Sequence, residues 1–224
     1  MTDRVACVLP ALDAAATLPL VAAGLRRAVP GATLVAVDDG STDGTRAAAE
    51  ACCDVVLAFP RNRGKGAALR AGTEAALARG AAAVLTVDTD GQHDPDYAPR
   101  LLAALEGADV VVGARSRRAG DMPLRRRVTN ALSSAAVSRF AGCEVADAQS
   151  GYRAIRAEVL RAVRPAGDRY EYESQFLILA ARHGFRIACV PVPTIYGAPS
   201  HFDELRDAAR VVAAIWRLRR PGLT

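Results

Sequence analysis

The chain has 224 residues, 51% of them hydrophobic and 24% charged, which is one globular domain's worth of ordinary sequence and excludes a disordered, collagenous or low-complexity chain. Its 29 basic residues exceed its 24 acidic ones by only five, too mild an excess to argue for a nucleic-acid partner. Of the basic residues 28 are Arg, and Lys65 is the single Lys. The five cysteines, Cys7, Cys52, Cys53, Cys143 and Cys189, form no CxxC pair, so they read as small hydrophobes in a reducing cytosol rather than zinc ligands or a disulfide framework. The first residues show no signal-peptide layout and no stretch of 18 apolar residues occurs, so the expected location is the cytoplasm or the inner face of the cytoplasmic membrane as a peripheral protein.

Short apolar runs alternate with Ala-rich helical stretches. Strands are predicted over residues 5–9, 33–37, 54–58, 83–87 and 110–113. Helices are predicted over 17–28, 41–51, 66–78 and 95–105. Strands separated by helices of this length imply βαβ crossovers and a mostly parallel central sheet flanked by helices, a Rossmann-like α/β architecture. After Gly113 the rhythm breaks. Residues 114–127 read as an Arg-rich loop, 124–140 as a helix, 149–155 as a turn leading into a strand, 173–183 as a helix, 186–192 as a strand and 203–220 as a terminal helix. No linker divides the chain, so 1–224 reads as a single domain with a nucleotide-binding half (1–113), an acceptor half (114–202) and the terminal helix.

Three motifs sit at the ends of predicted strands, where open α/β sheets bind ligands. In Val37-Asp38-Asp39-Gly40-Ser41-Thr42 two carboxylates precede a turn; they suit hydrogen bonds from a ribose or base, or equally a turn with Ser41 or Thr42 as helix cap. Arg61-Asn62-Arg63-Gly64-Lys65-Gly66 precedes a helix. Glycines, a helix N-terminus and cations suit phosphate, although the spacing is not that of a Walker loop. The strongest is Val87-Asp88-Thr89-Asp90-Gly91-Gln92-His93. In extended backbone Asp88 and Asp90 point to one side, and two hard oxygens at that spacing can share Mg²⁺ or Mn²⁺, with Gln92 adding a neutral oxygen. His93 reads as a solvated loop histidine. Asp147-Ala148-Gln149-Ser150-Gly151-Tyr152-Arg153 and Tyr170-Glu171-Tyr172-Glu173-Ser174 are further polar clusters. In the second, Glu171 and Glu173 alternate with aromatics, so both carboxylates could face one cleft or lie on a surface strand.

Taken together these motifs, with Ser200-His201-Phe202, resemble glycosyltransferase family 2, the inverting transferases of GT-A fold, and most of all its polyprenyl-phosphate (dolichyl-phosphate) mannose or glucose synthases. The resemblance runs from about Val5 to His201. It implies a nucleotide-diphosphate sugar donor of GDP-mannose or UDP-glucose type bound near Pro10, Ala11, Asp13, Asp39, Lys65, Asp88 and Thr89. It implies a metal at Asp88, Asp90 and Gln92, and catalytic roles for Asp90, Arg115, Gln149, Arg153, Glu171 and Glu173. The acceptor phosphate would lie near Arg126, Arg127, Ser200 and His201. Two departures stand out: the first strand ends Pro10-Ala11-Leu12-Asp13-Ala14 where the family commonly has Pro-Ala-Tyr-Asn-Glu, and Ala148 replaces the Thr of Asp-Thr-Gln-Ser-Gly.

The acceptor is the open choice. A hydroxyl acceptor needs a carboxylate base, whereas a phosphate is already ionised near neutral pH and needs positioning cations. Six arginines between residues 115 and 127 supply such cations, and their forks suit phosphate oxygens, so a polyprenyl phosphate is the expected acceptor. A soluble or polysaccharide hydroxyl acceptor and a catalytically weak nucleotide-sugar-binding module are the alternatives. A sugar-nucleotide pyrophosphorylase is disfavoured because no Gly-rich, Lys-containing loop follows the first strand. In the terminal helix Arg206, Arg210, Arg217 and Arg220 form one stripe opposite Leu205, Val212, Ile215 and Trp216, a pattern expected of a helix lying on a membrane surface or docked on the core.

Overall fold

The computed structural model describes residues 4–115 and 124–193, with residues 124–129 described as helical backbone only. Ser200, His201 and the predicted helix 203–220 lie outside the described residues.

The strands form as their apolar runs require. All seven residues of β1 (Val5–Ala11) are buried, as a strand covered on both faces must be. Alternate side chains serve opposite cores: Cys7 and Leu9 join Leu18, Leu25, Leu101 and Leu105 on one face, whereas Ala6 and Val8 join Leu69, Val137, Phe176 and Leu177 on the other. Burial pushes the Cys7 thiol up to about 12, so it behaves as an inert hydrophobe. Helices α1 (Leu18–Ala28), α2 (Thr45–Cys52) and α4 (Ala98–Ala103) cover the first face. Helices α3 (Lys65–Ala78), α5 (Leu124–Ala141) and α7 (Glu171–Arg182) cover the second.

The described residues form one seven-stranded sheet in the order β3-β2-β1-β4-β6-β5-β7. Its other strands are β2 (Thr33–Asp38), β3 (Val55–Ala58), β4 (Ala83–Thr86), β5 (Val110–Arg115), β6 (Arg153–Arg156) and β7 (Ile187–Val192). The first four are mutually parallel, and β5 and β7 pair parallel. Strand β6 runs against both β4 and β5, so it alone in this sheet is reversed. The chain moves outward from β1 to β2 and β3, then returns to place β4 on the other side of β1. The gap beyond the ends of β1 and β4 is therefore the switch point, where such sheets bind ligands.

Three predicted details differ. Helix α2 starts at Thr45 rather than residue 41, because Ser41 and Thr42 bond to the loop after β1 instead of capping it. The helix predicted over 95–105 is α4 flanked by 3₁₀ turns at Pro95–Tyr97 and Ala104–Glu106. A short helix α6 (Ala157–Ala162) follows β6, in a segment whose six residues were too few to show a helical period.

Candidate functional site

Most of the predicted residues that the structure describes gather at one end of the sheet. Register aligns Ala11 with Asp38 and Val8 with Thr86. Pro10 and Ala11, Asp39 and Asp88 therefore emerge side by side from β1, β2 and β4. Strand β6 starts there with Arg153, opposite both Thr86 and Val112, and β5 ends there with Arg115.

The centre is an ion cluster joining three distant parts of the sequence. Lys65 Nζ lies 2.6 Å from Asp88 Oδ1 and 3.1 Å from Glu173 Oε1. The Glu173 contact is an ion pair without hydrogen-bond alignment, since Oε1 is buried and has no hydrogen-bond partner. On the other side of Asp88, Oδ2 is 3.6 Å from His93 Nε2. Burial alone would push the Asp88 carboxyl up, but Lys65 and His93 outweigh it and hold the group well below the usual carboxylate range. Burial would likewise lower the Lys65 ammonium, and the two carboxylates raise it above the ordinary lysine value instead. A Cβ on Gly151 would stand 2.4 Å from both Asp88 oxygens, so this glycine gives the carboxylate its room.

His93 corrects the reading of a solvated loop residue. It is 3% exposed, packs against the Tyr152 ring at 5.2 Å and leaves Nδ1 buried without a partner. Tyr152 in turn donates to the Asp94 carbonyl at 3.2 Å. The segment 170–174 also corrects: it is not a strand but the first turn of α7, where residues two apart diverge by about 200°. The two carboxylates consequently do not share one cleft by alternation. Glu173 reaches Lys65, while Glu171 leaves Oε2 buried and unpartnered.

The loop 61–66 is held from both ends. The Asp39 carboxylate accepts hydrogen bonds from Arg63 N at 2.7 Å, Gly64 N at 2.9 Å and Asn62 Nδ2 at 3.1 Å. Burial raises its pKa, and the two backbone N–H groups partly offset that. The glycines also let two backbone segments pack closely. Gly64 has φ +106°, and a Cβ there would lie 2.5 Å from the Asp168 carbonyl, while one on Gly66 would lie 2.6 Å from Tyr172 Cβ. Ala67 N donates to that same Asp168 carbonyl, so the first turn of α3 is closed by the chain leading into α7. Arg70, which sequence reasoning missed, pins this segment through Asp168 and the carbonyls of Pro165 and Gly167. Its signal, one Arg on a helix that also carries Lys65 and Glu74, is too weak to find alone.

The remaining predicted residues mostly hold loops together. Thr89 Oγ1 donates to the Pro10 carbonyl at 2.9 Å. Asp13, at φ +48°, accepts from Thr42 N at 2.8 Å, and Asp39 N donates to the Ala11 carbonyl at 2.8 Å. Arg153 is 3% exposed and spends its three donor groups on the carbonyls of Ser150, Glu173 and Ala148. Arg115 makes a two-pronged pair with Asp147, Nε to Oδ2 at 2.7 Å and Nη2 to Oδ1 at 3.0 Å. Burial would raise Asp147, and Arg115 reverses this to hold it below the usual range. Gln149 carries a buried Nε2 without a hydrogen-bond partner. Arg126 and Arg127 fall in the first turn of α5, where only backbone is described.

Asp88 and Asp90 offer the hard oxygens that Mg²⁺ or Mn²⁺ prefers. Asp90 is half-buried, with Oδ1 accepting the Gln92 N–H at 3.0 Å, and Gln92 is buried beside it. No group of three His, Cys, Asp or Glu side chains converges for a metal among the described residues. Two carboxylates and an amide oxygen fit a hard divalent cation that completes its shell with further oxygens.

An α/β sheet with carboxylates at its switch point is the layout of a nucleotide-binding fold. The family model for glycosyl transferase family 2 matches residues 7–164. The chain is 34% identical over 201 residues to the undecaprenyl-phosphate mannosyltransferase of Micrococcus luteus, covering 84% of this chain and 82% of that one. It is 32% identical over 209 residues to the polyprenol monophosphomannose synthase of Mycolicibacterium smegmatis, covering 85% and 77%. Among solved structures, glucosyl-3-phosphoglycerate synthase from Mycobacterium tuberculosis, in complex with Mn²⁺, UDP and phosphoglyceric acid, superposes with a TM-score of 0.77 at 27% identity, covering 98% of this chain and 80% of that one. The chain belongs to glycosyl transferase family 2 and has the GT-A fold of a glycosyltransferase, as its motifs implied.

Proposed function

We propose that this glycosyltransferase moves a hexose from a nucleotide-diphosphate sugar to a polyprenyl phosphate, with inversion and with Mg²⁺ or Mn²⁺. The observation that carries the reading is the placement of Asp88 and Asp90 just beyond β4, beside the only lysine and at the switch point of the sheet. The two relatives named for lipid-phosphate mannosyl transfer support the acceptor, and the Mn²⁺ and UDP in the structural neighbour support the donor class and the metal.

In this reading Pro10, Ala11, Asp13, Asp39 and Thr89 shape the nucleoside side of the gap, and Lys65 meets the diphosphate. A metal held by Asp88, Asp90 and Gln92 would supply charge neutralisation of the leaving diphosphate. Gln149, with its unpartnered buried amide, suits a ligand oxygen. Arg115, Arg126 and Arg127 provide the positioning cations on the acceptor side, where a phosphate needs orientation rather than deprotonation. Ser200 and His201 belong to the same acceptor set by resemblance. Residues 1–113 would then be the donor half and 114–202 the acceptor half of one catalytic unit. No helix among the described residues is long and apolar enough to cross a membrane; residues 203–220, whose sequence has an amphipathic helical pattern, are the candidate for contact with the lipid's membrane surface.

The test is an acceptor panel. With GDP-mannose and UDP-glucose offered in turn, sugar should move to a short-chain polyprenyl phosphate. Transfer to phosphoglyceric acid or a free hydroxyl acceptor, with none to the lipid phosphate, would overturn the acceptor assignment.

A further inference from the structure

We propose that Lys65 is a resident counter-cation that holds Asp88 in the donor-free protein, so that divalent metal occupies the site appreciably only together with a diphosphate. The inference rests on the reading above, in which Asp88 is a metal ligand, and adds a binding order to it.

The cluster holds two carboxylates and one ammonium at close range. Lys65 Nζ is 2.6 Å from Asp88 and 3.1 Å from Glu173, and the Tyr170 ring lies 5.9 Å away on a further side. The lysine side chain is 16% exposed and that of Glu173 5%, so little water screens the charges. Asp88 has nowhere to turn: His93 stands at its second oxygen, and Gly151 lies so close that a single added carbon would collide with both oxygens. A free dication approaching Asp88 therefore meets the ammonium at nearly the same oxygen. Like charges in a poorly screened site repel strongly, and moving the ammonium away costs its ion pair.

A diphosphate changes this balance. Its oxygens offer the ammonium new partners with charge-assisted hydrogen bonds. Glu173 keeps a hold on the lysine throughout, because its backbone is fixed by the Arg153 guanidinium through the Glu173 carbonyl at 2.8 Å. Lysine suits this better than arginine, since its compact ammonium on a flexible stem can swing between partners where a planar fork is fixed. By linkage, metal and diphosphate must then tighten each other's binding by the same factor.

The experiment measures Mn²⁺ binding by calorimetry to the full chain without nucleotide, in wild type, Lys65→Met and Lys65→Arg, with a thermal melt of each as the folding check. We expect Lys65→Met to bind Mn²⁺ alone at least tenfold more tightly than wild type, and Lys65→Arg to stay within threefold of it. Equal or weaker Mn²⁺ binding by a folded Lys65→Met overturns the proposal. If Lys65→Met does not fold, Glu173→Gln decides. With its second partner gone the lysine bears wholly on Asp88, and Mn²⁺ alone should bind at least threefold more weakly; unchanged or tighter binding overturns the proposal. A parallel melt of the wild type with Mn²⁺ and inorganic pyrophosphate separates the two readings. Absence of stabilisation there removes the metal–diphosphate site itself, whereas stabilisation with no change in Lys65→Met removes only the role of the lysine.

Discussion

Asp88 and Asp90 are separated by one residue and both half-buried, yet they have different neighbours. Asp88 is locked among Lys65, His93 and Gly151, while Asp90 sits half-buried on the turn with one oxygen on the Gln92 N–H. Replacing Asp90 with Ala therefore removes a partly exposed hydrogen bond worth about 1 kcal/mol. Sugar transfer should fall about 10²–10³-fold, the scale seen when one preorganised charge-stabilising group is lost. Steady-state turnover beside a thermal melt checks both, and more than a tenth of wild-type turnover in a folded protein contradicts the role. Gly151→Ala is a complementary probe, since the new carbon must displace the Asp88 carboxylate. It should cost about 1–3 kcal/mol as overpacking and lower turnover at least tenfold, read in the same assays.

The Arg115–Asp147 pair gives a pH prediction of definite sign. The Asp147 carboxyl is held below its ordinary value when folded. Its stabilisation is thus complete above the unfolded pKa of about 4 and is lost as pH falls through the lower folded value. Asp147→Asn should lower stability at pH 7 by about 1.5–3 kcal/mol, because it removes the charge from the two-pronged hydrogen bonding with Arg115. Urea unfolding should show the gap between variant and wild type narrowing below pH 4; a gap constant from pH 7 to pH 3 contradicts it.

At the scale of elements, the decisive contact is the crossing of the α3 N-terminus by the segment that leads into α7. Gly64 and Gly66 let the two backbones touch, and Arg70 ties the far side. Gly66→Ala should destabilise by about 1–3 kcal/mol, since the added carbon meets Tyr172 Cβ and backbone rather than a flexible side chain. A denaturant midpoint unchanged from wild type would refute this packing account. The same crossing explains what sequence could and could not give. The strands β1 to β5 were legible because each is a continuous apolar run closed by turn residues. The glycine pair was legible as a close approach but not for its partner, which lies 100 residues away. Glu171 and Glu173 read as alternating because a helix's first turn is too short to display its period. His93 read as solvated because its burial comes from Tyr152, a long-range neighbour that no local pattern reveals.

At the scale of the molecule, the sheet order brings the candidates on β1, β2, β4, β5 and β6 to one end of the sheet, and the strand-end carboxylates make that end legible from the sequence. The reversed strand β6 was not foreseen, because four residues carry no sign of direction; yet it is what brings Gly151 and Arg153 back against Asp88 and Glu173. The gap is accordingly built by parallel strands and closed by an antiparallel return. In the proposed reaction, sugar transfer at that end of the sheet depends on a divalent metal. Mass spectrometry of a polyprenyl phosphate incubated with the protein, GDP-mannose or UDP-glucose and Mn²⁺ tests it most directly. The account predicts a lipid product heavier by one hexose that disappears in EDTA and with Asp90→Ala; an unmodified lipid with every donor, or a product formed equally in EDTA, would contradict it.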